Sequence, residues 1–131
     1  YGIQELSMLE ELQEKIVDNI SNSPFYGIYF GDALVARMCL YRIDKKFNRY
    51  FDPPEDYLEI WKLEVLPDYQ NRGFGTALVN YAKSFNMPIK TNPRMRSKKF
   101  WEKMGFVPVE YDVERDRGEN PLIWFPSERK A

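Results

Sequence analysis

Leu63-Glu64-Val65-Leu66-Pro67-Asp68-Tyr69-Gln70-Asn71-Arg72-Gly73-Phe74-Gly75-Thr76-Ala77-Leu78 reads as a strand that ends at a proline, a glycine-rich turn, and the start of a helix. Gly73 and Gly75 carry no side chain, so backbone amides there can approach a ligand closely. Successive amides pointing one way form a concave anion site. The following helix adds its positive dipole end and its unpaired N–H groups. The pattern is that of a phosphate cradle. Taken alone, a bare G-x-G is also compatible with a plain connecting turn. It is not a Walker A loop, which needs G-x-x-x-x-G-K-[ST]. It is not a dinucleotide fingerprint either, because Leu78 stands where the third glycine belongs. A weaker nucleotide-binding reading of Gly73-x-Gly75 stays open at this level.

Outward from this stretch, helical and strand patterns alternate. Ser7 and Glu10 form a capping box ahead of Leu9, Leu12, Ile16 and Ile20 at helical spacing. Phe25 to Phe30 and Ala33 to Tyr41 read as a hairpin joined by Gly31-Asp32, a turn of the II′ kind. Charged residues and Pro53-Pro54 make Asp44 to Asp56 a loop. Tyr57 to Leu66 reads as a longer strand, Thr76 to Phe85 as an amphipathic helix, and Pro88 to Thr91 as a short strand. Arg96 to Met104 reads as a helix that Gly105 ends in the left-handed conformation. Val107 to Tyr111 and Leu122 to Phe125 read as closing strands, with Asp112 to Glu119 as a solvated connection. The order predicts an α/β (α+β) fold with a mixed sheet. At 131 residues it is expected to be one domain spanning 1–131.

Composition narrows the chemistry. The chain has no histidine, which excludes Ser-His-Asp and Cys-His catalysis and the HExxH zinc motif. No metal is expected. The lone Cys39 permits no internal disulfide, fits a reducing cytoplasm, and reads as a small core residue. A net charge of −1 disfavours nucleic acid as a partner. No apolar run reaches the ~18 residues that would predict a membrane span.

Gln70-Asn71-Arg72-Gly73-Phe74-Gly75 resembles the Q/R-x-x-G-x-G/A signature of the GNAT superfamily, the GCN5-related N-acetyltransferases. Leu63-x-Val65-x-Pro67 resembles the end of that family's fourth strand. Phe100-Trp101-Glu102-Lys103-Met104-Gly105-Phe106 resembles its "FYEKLGF" box, in the right order downstream. The resemblance implies a mixed, mostly antiparallel twisted sheet flanked by helices, with splayed central strands. It implies a first strand for which only Tyr1 to Leu6 is available, so an N-terminal element is expected to be missing and the sheet to have one strand fewer.

It also implies an acetyl-CoA-dependent N-acetyltransferase. The turn at Gln70, Asn71, Arg72, Gly73, Phe74, Gly75 and Thr76 would hold the pyrophosphate. Arg72 reads either as a phosphate contact or as a surface arginine, and Phe74 more as packing. Leu63, Glu64 and Val65 would offer backbone groups to the pantetheine arm, and an amide near Val65 would stabilise the oxyanion. Glu59 aligns with the glutamate that acts as base in the histone-acetylating branch; an exposed strand glutamate is its other reading. Strand alternation would put Glu59 and Glu64 on opposite faces. Asn92 could replace the family's asparagine, which falls on Arg94. Ser97 could bond to pantetheine or cap the helix. Arg94, Arg96, Lys98 and Lys99 could meet the 3′-phosphate or form a solvated face.

Trp101 stands where many relatives have a general-acid tyrosine. Indole is too weak an acid for that role. The alternative function is therefore a non-catalytic acyl-CoA-binding sensor or partner-binding module. The acceptor would be a small-molecule or peptide amine near Tyr26 to Tyr29, the Asp44 to Asp56 loop and the Asp112 to Glu119 loop. Tyr50, Phe51 and Tyr57 would line its pocket or belong to the core. A homodimer is compatible with the family.

Overall fold

The computed structural model describes residues 3–5, 25–93 and 97–126. The Ser7–Glu10 capping box, its helix, and Arg94 and Arg96 lie outside them. The chain forms two compact units, Tyr1–Leu40 with Trp61–Ala82, and Tyr41–Ile60 with Lys83–Ala131.

In the first unit, strands β1 (Ile3–Glu5), β2 (Phe25–Phe30) and β3 (Ala33–Ile43) run antiparallel in that order. The expectation of a missing first strand is thereby corrected: Ile3–Glu5 pairs with Tyr26–Ile28. Gly31 takes φ +63 and Asp32 does not share the positive φ, which is the II′ geometry predicted for the turn. Both faces of β3 are buried from Val35 to Leu40, Arg37 included, and Cys39 is core. Helix α1 (Phe74–Lys83) buries Leu78, Val79 and Ala82. It lies on the sheet face that carries Tyr26, whose ring is 5.0 Å from that of Tyr81.

In the second unit, the start of β4 (Tyr57–Val65) pairs in parallel with β5 (Ile89–Thr91). β5 pairs antiparallel with β7 (Leu122–Trp124), and β7 with β6 (Val107–Pro108). Within the two units, β4–β5 is the one parallel pairing among the described residues, so the sheet is mixed and mostly antiparallel, as predicted. The β4–β5 register ends at Ile60 and Thr91, while β4 runs on to Val65. Helix α2 (Lys98–Lys103) is shorter than predicted, and Gly105 follows it at φ +88. The Lys83 ammonium donates to the Met104 carbonyl and lies 5.0 Å from the Trp124 ring, capping that helix end. Phe51, Tyr57, Trp101, Phe106 and Leu122 form this unit's core.

The segment from Asp112 to Glu119 is not a bare connection. It holds helix α3 (Val113–Asp116), capped by Asp112, whose carboxylate accepts from the Arg115 amide at 2.9 Å. Asp116 is 1% exposed and paired with Arg115 at 2.8 Å. A charge-rich sequence hides this, because its charges pair internally.

Candidate active site

Pro67–Tyr69 forms a single 3-10 turn, with Pro67 at its first position, where a missing N–H costs nothing. Gln70 locks the turn to the strand before it. Its backbone amide donates to the Pro67 carbonyl at 3.3 Å and its side-chain amide to the Val65 carbonyl at 3.0 Å. Gln70 thus braces the site with both of these donors.

Asn71 and Gly73 take φ +63 and +86, so the chain doubles back tightly before α1. A Cβ on Gly73 would meet nothing within 4 Å. The backbone conformation requires glycine there, and the space in front of it is open. The first helical bond runs from the Ala77 amide to the Gly73 carbonyl at 2.9 Å. Helix geometry therefore leaves the amides of Gly75 and Thr76 without intrahelical acceptors. Ile28, Phe30, Arg72, Gly73, Phe74 and Ala77 line a hollow of about 460 Å³ beside them. Phe74 is buried, with Phe30 and Tyr69 at ring separations of 6.5 and 6.3 Å. Arg72 is exposed, and its guanidinium sits 5.3 Å from the Tyr69 ring.

Along β4, Lys62 takes φ +50, and Trp61 and Lys62 are exposed in succession. Such a residue interrupts the period of two, so facing cannot be counted from Glu59 through to Glu64 by alternation. Beyond it, Glu64 pairs with Arg37 of β3: both Nε and Nη2 lie 2.9 Å from the same carboxylate oxygen, Oε1. The Arg37 side chain is 9% exposed and that of Glu64 45%. Arg37 Nη1 is buried with no hydrogen-bond partner among the described residues.

Glu59 is 8% exposed, which corrects its reading as an exposed strand glutamate. Its carboxylate lies 3.3 Å from the buried ammonium of Lys90 on β5. That ammonium lies 4.8 Å from the Tyr50 ring, and the Arg115 guanidinium 4.7 Å from the same ring. Burial, then the charge of Glu59, push the Tyr57 hydroxyl up to about 12. The Arg115 side chain holds the Asp116 carboxyl down to about 2, against the opposing effect of burial. Phe51 and Tyr57 are core, while Tyr50 is half-buried.

Asn92 follows β5, and its side-chain oxygen is buried without a partner among the described residues. A buried acceptor in this state calls for a donor from elsewhere. Ser97 stands at the N-cap position of α2 but makes no side-chain cap bond. Trp101 is 3% exposed and packs edge-on against Phe106 at 4.9 Å and Phe100 at 5.2 Å. No group of three or more potential metal ligands occurs among the described residues, and no helix there is long and apolar enough to cross a membrane.

The two ion pairs have a signal in sequence. Arg37 is the one charge in the stretch from Val35 to Leu40, and Lys90 sits between Ile89 and Thr91 of β5; a cation inside a buried strand calls for an anionic partner. No comparable signal marks the left-handed Lys62.

Comparison with known proteins places the chain in a family. The chain is 71% identical over 126 residues to the N-acetyltransferase YlbP of Bacillus subtilis, covering 96% of this chain and 79% of that one. The crystal structure of Bacillus subtilis YlbP in complex with coenzyme A superposes with a TM-score of 0.78 at 68% identity, covering 90% of this chain and 78% of that one. Arabidopsis thaliana Naa50 shares the fold, at a TM-score of 0.59 and 18% identity over 78% of this chain and 72% of its own. Residues 3–106 match the family described as the acetyltransferase (GNAT) family, and the chain belongs to that family of acyl-transferring enzymes.

Proposed function

We propose that this protein transfers an acetyl group from acetyl-CoA directly to a primary amine. The observation that carries the reading is the turn from Gln70 to Thr76. Its left-handed Gly73 faces open space beside the Gly75 and Thr76 amides, which have no intrahelical acceptor. A pyrophosphate offers oxygens to such amides, and Arg72 can add a charge-assisted bond. The coenzyme A bound by Bacillus subtilis YlbP supports the same ligand here.

The pantetheine arm would follow Leu63 to Val65. Asn92, whose buried side-chain oxygen has no donor among the described residues, and Ser97 are kept as candidate coenzyme A contacts. The Val65 amide would polarise the thioester carbonyl. Preorganised N–H donors of this sort stabilise the oxyanion because they need no reorientation as charge develops.

Trp101 is accounted for by packing, so it does not by itself favour the non-catalytic acyl-CoA-binding reading. In the catalytic reading, water protonates the departing thiolate. The acceptor is a small-molecule or peptide amine, and the site of action is the cytoplasm, in keeping with the single cysteine. We take residues 1–131 as one acetyltransferase domain, a reading supported by the family match over 3–106.

The test is release of free CoA thiol from acetyl-CoA across a panel of polyamines, amino acids and lysine peptides. Amine-dependent release supports transfer. Tight acetyl-CoA binding with no release across the panel supports the non-catalytic module instead.

A further inference from the structure

An alkylammonium acceptor, with a pKa of about 10.4, must lose a proton before its nitrogen can attack. A chain without histidine does this most readily with a carboxylate. The two glutamates of β4 differ sharply in what they can reach. Glu59 is enclosed with the ammonium of Lys90. Glu64 is 45% exposed, and Arg37 engages it through one oxygen only. Both of these contacts end on Oε1, and no hydrogen bond to the second oxygen, Oε2, is found among the described residues.

The direction of approach also fits. Tyr26 and Gly27 are consecutive on β2, pairing with Met38 and Arg37 of β3. Tyr26 faces α1, so Gly27 and Arg37 belong to the opposite face. Glu64, reaching Arg37, therefore lies on the face away from α1. Gly27 and Arg37 are themselves buried, so the exposed end of the pair is the Glu64 carboxylate. An acceptor arriving there does not compete with a phosphate group held at the start of α1.

We propose that Glu64 is the carboxylate that takes the acceptor's proton, and that Arg37 is a positioning residue that fixes its orientation. This rests on the transfer reading above. The ammonium gives one proton to Glu64 Oε2. The freed lone pair of the amine attacks the acetyl carbonyl carbon, adjacent on the strand at Val65. As the tetrahedral adduct collapses, the C–S bond breaks with its electron pair left on sulfur. The nitrogen loses its second proton, which water relays to the thiolate to give CoA-SH. Glu64 returns its proton to solvent. The products are the amide, CoA-SH and one proton.

The experiment compares Glu64→Gln and wild type on two acceptors at pH 7. One is a lysine-type alkylamine, protonated at that pH. The other is an arylamine, already neutral. Arg37→Lys is measured beside them, and calorimetric binding of acetyl-CoA is measured for all three proteins. The expected result is a fall in kcat/KM of about a hundredfold or more for Glu64→Gln on the alkylamine. The loss on the arylamine should be much smaller, acetyl-CoA binding should be unchanged, and Arg37→Lys should lie between. Equal losses on both amines, or no loss on either, overturn the proposal while leaving the transfer reading standing. So does a wild type that acetylates the arylamine alone. A wild type that transfers to neither amine overturns both.

Discussion

The carboxylate of Glu59 and the ammonium of Lys90 face each other at 3.3 Å across the parallel β4–β5 pairing, with both residues buried. Two charges removed from water are held by each other, and removing one strands its partner. Lys90→Met should therefore lower unfolding stability by about 3–5 kcal/mol. The double variant Glu59→Gln with Lys90→Met should recover much of that. Urea unfolding followed by circular dichroism checks it, and a double variant no better than the single would contradict the account.

Gly73 separates backbone strain from ligand space. A Cβ there meets no protein atom, so Gly73→Ala should fold, with a strain of roughly 1–2 kcal/mol from its φ of +86. The same methyl enters the space assigned to the pyrophosphate. Acetyl-CoA affinity should drop by at least about tenfold, or ~1.4 kcal/mol. Thermal unfolding and calorimetry on one preparation read both effects, and unchanged affinity would place the phosphate elsewhere.

Asp116 supplies a pH dependence with a definite sign. Its folded pKa is depressed to about 2 from 3.8 by the Arg115 side chain. A depressed carboxyl contributes stability above its unfolded pKa and loses it as pH falls through the folded one. Wild-type stability should therefore decline from about pH 4 towards pH 2. Asp116→Asn should be less stable at neutral pH and flatter across that window. Urea midpoints measured at intervals of pH test this, and parallel curves would count against it.

Trp101 fills core volume in the second unit. Trp101→Phe should keep acyl transfer, whereas Trp101→Ala should lose about 3–5 kcal/mol of stability. Loss of turnover in Trp101→Phe with its fold and acetyl-CoA binding intact would restore a chemical role for the indole.

Much of this was legible in residues alone. Gly31-Asp32 fixed the hairpin, and the strand, glycine turn and helix from Leu63 to Leu78 were legible, because glycine and proline act locally on φ. What escaped depends on long-range partners. Arg37 meets Glu64 from 27 residues away and Lys90 meets Glu59 from 31, separations that local patterns do not encode. Lys62 adopts a conformation its residue type does not announce, and it breaks the alternation on which facing along β4 depends. Helix α3 was hidden because Arg115 and Asp116 look solvated in a charged segment and are in fact paired.

The most direct measurement is a calorimetric titration of the protein with acetyl-CoA, with free CoA and NADH as controls. The account predicts micromolar binding of acetyl-CoA, weakened in Gly73→Ala, and no binding of NADH. Failure to bind acetyl-CoA at high micromolar concentration, or preference for NADH, would contradict it.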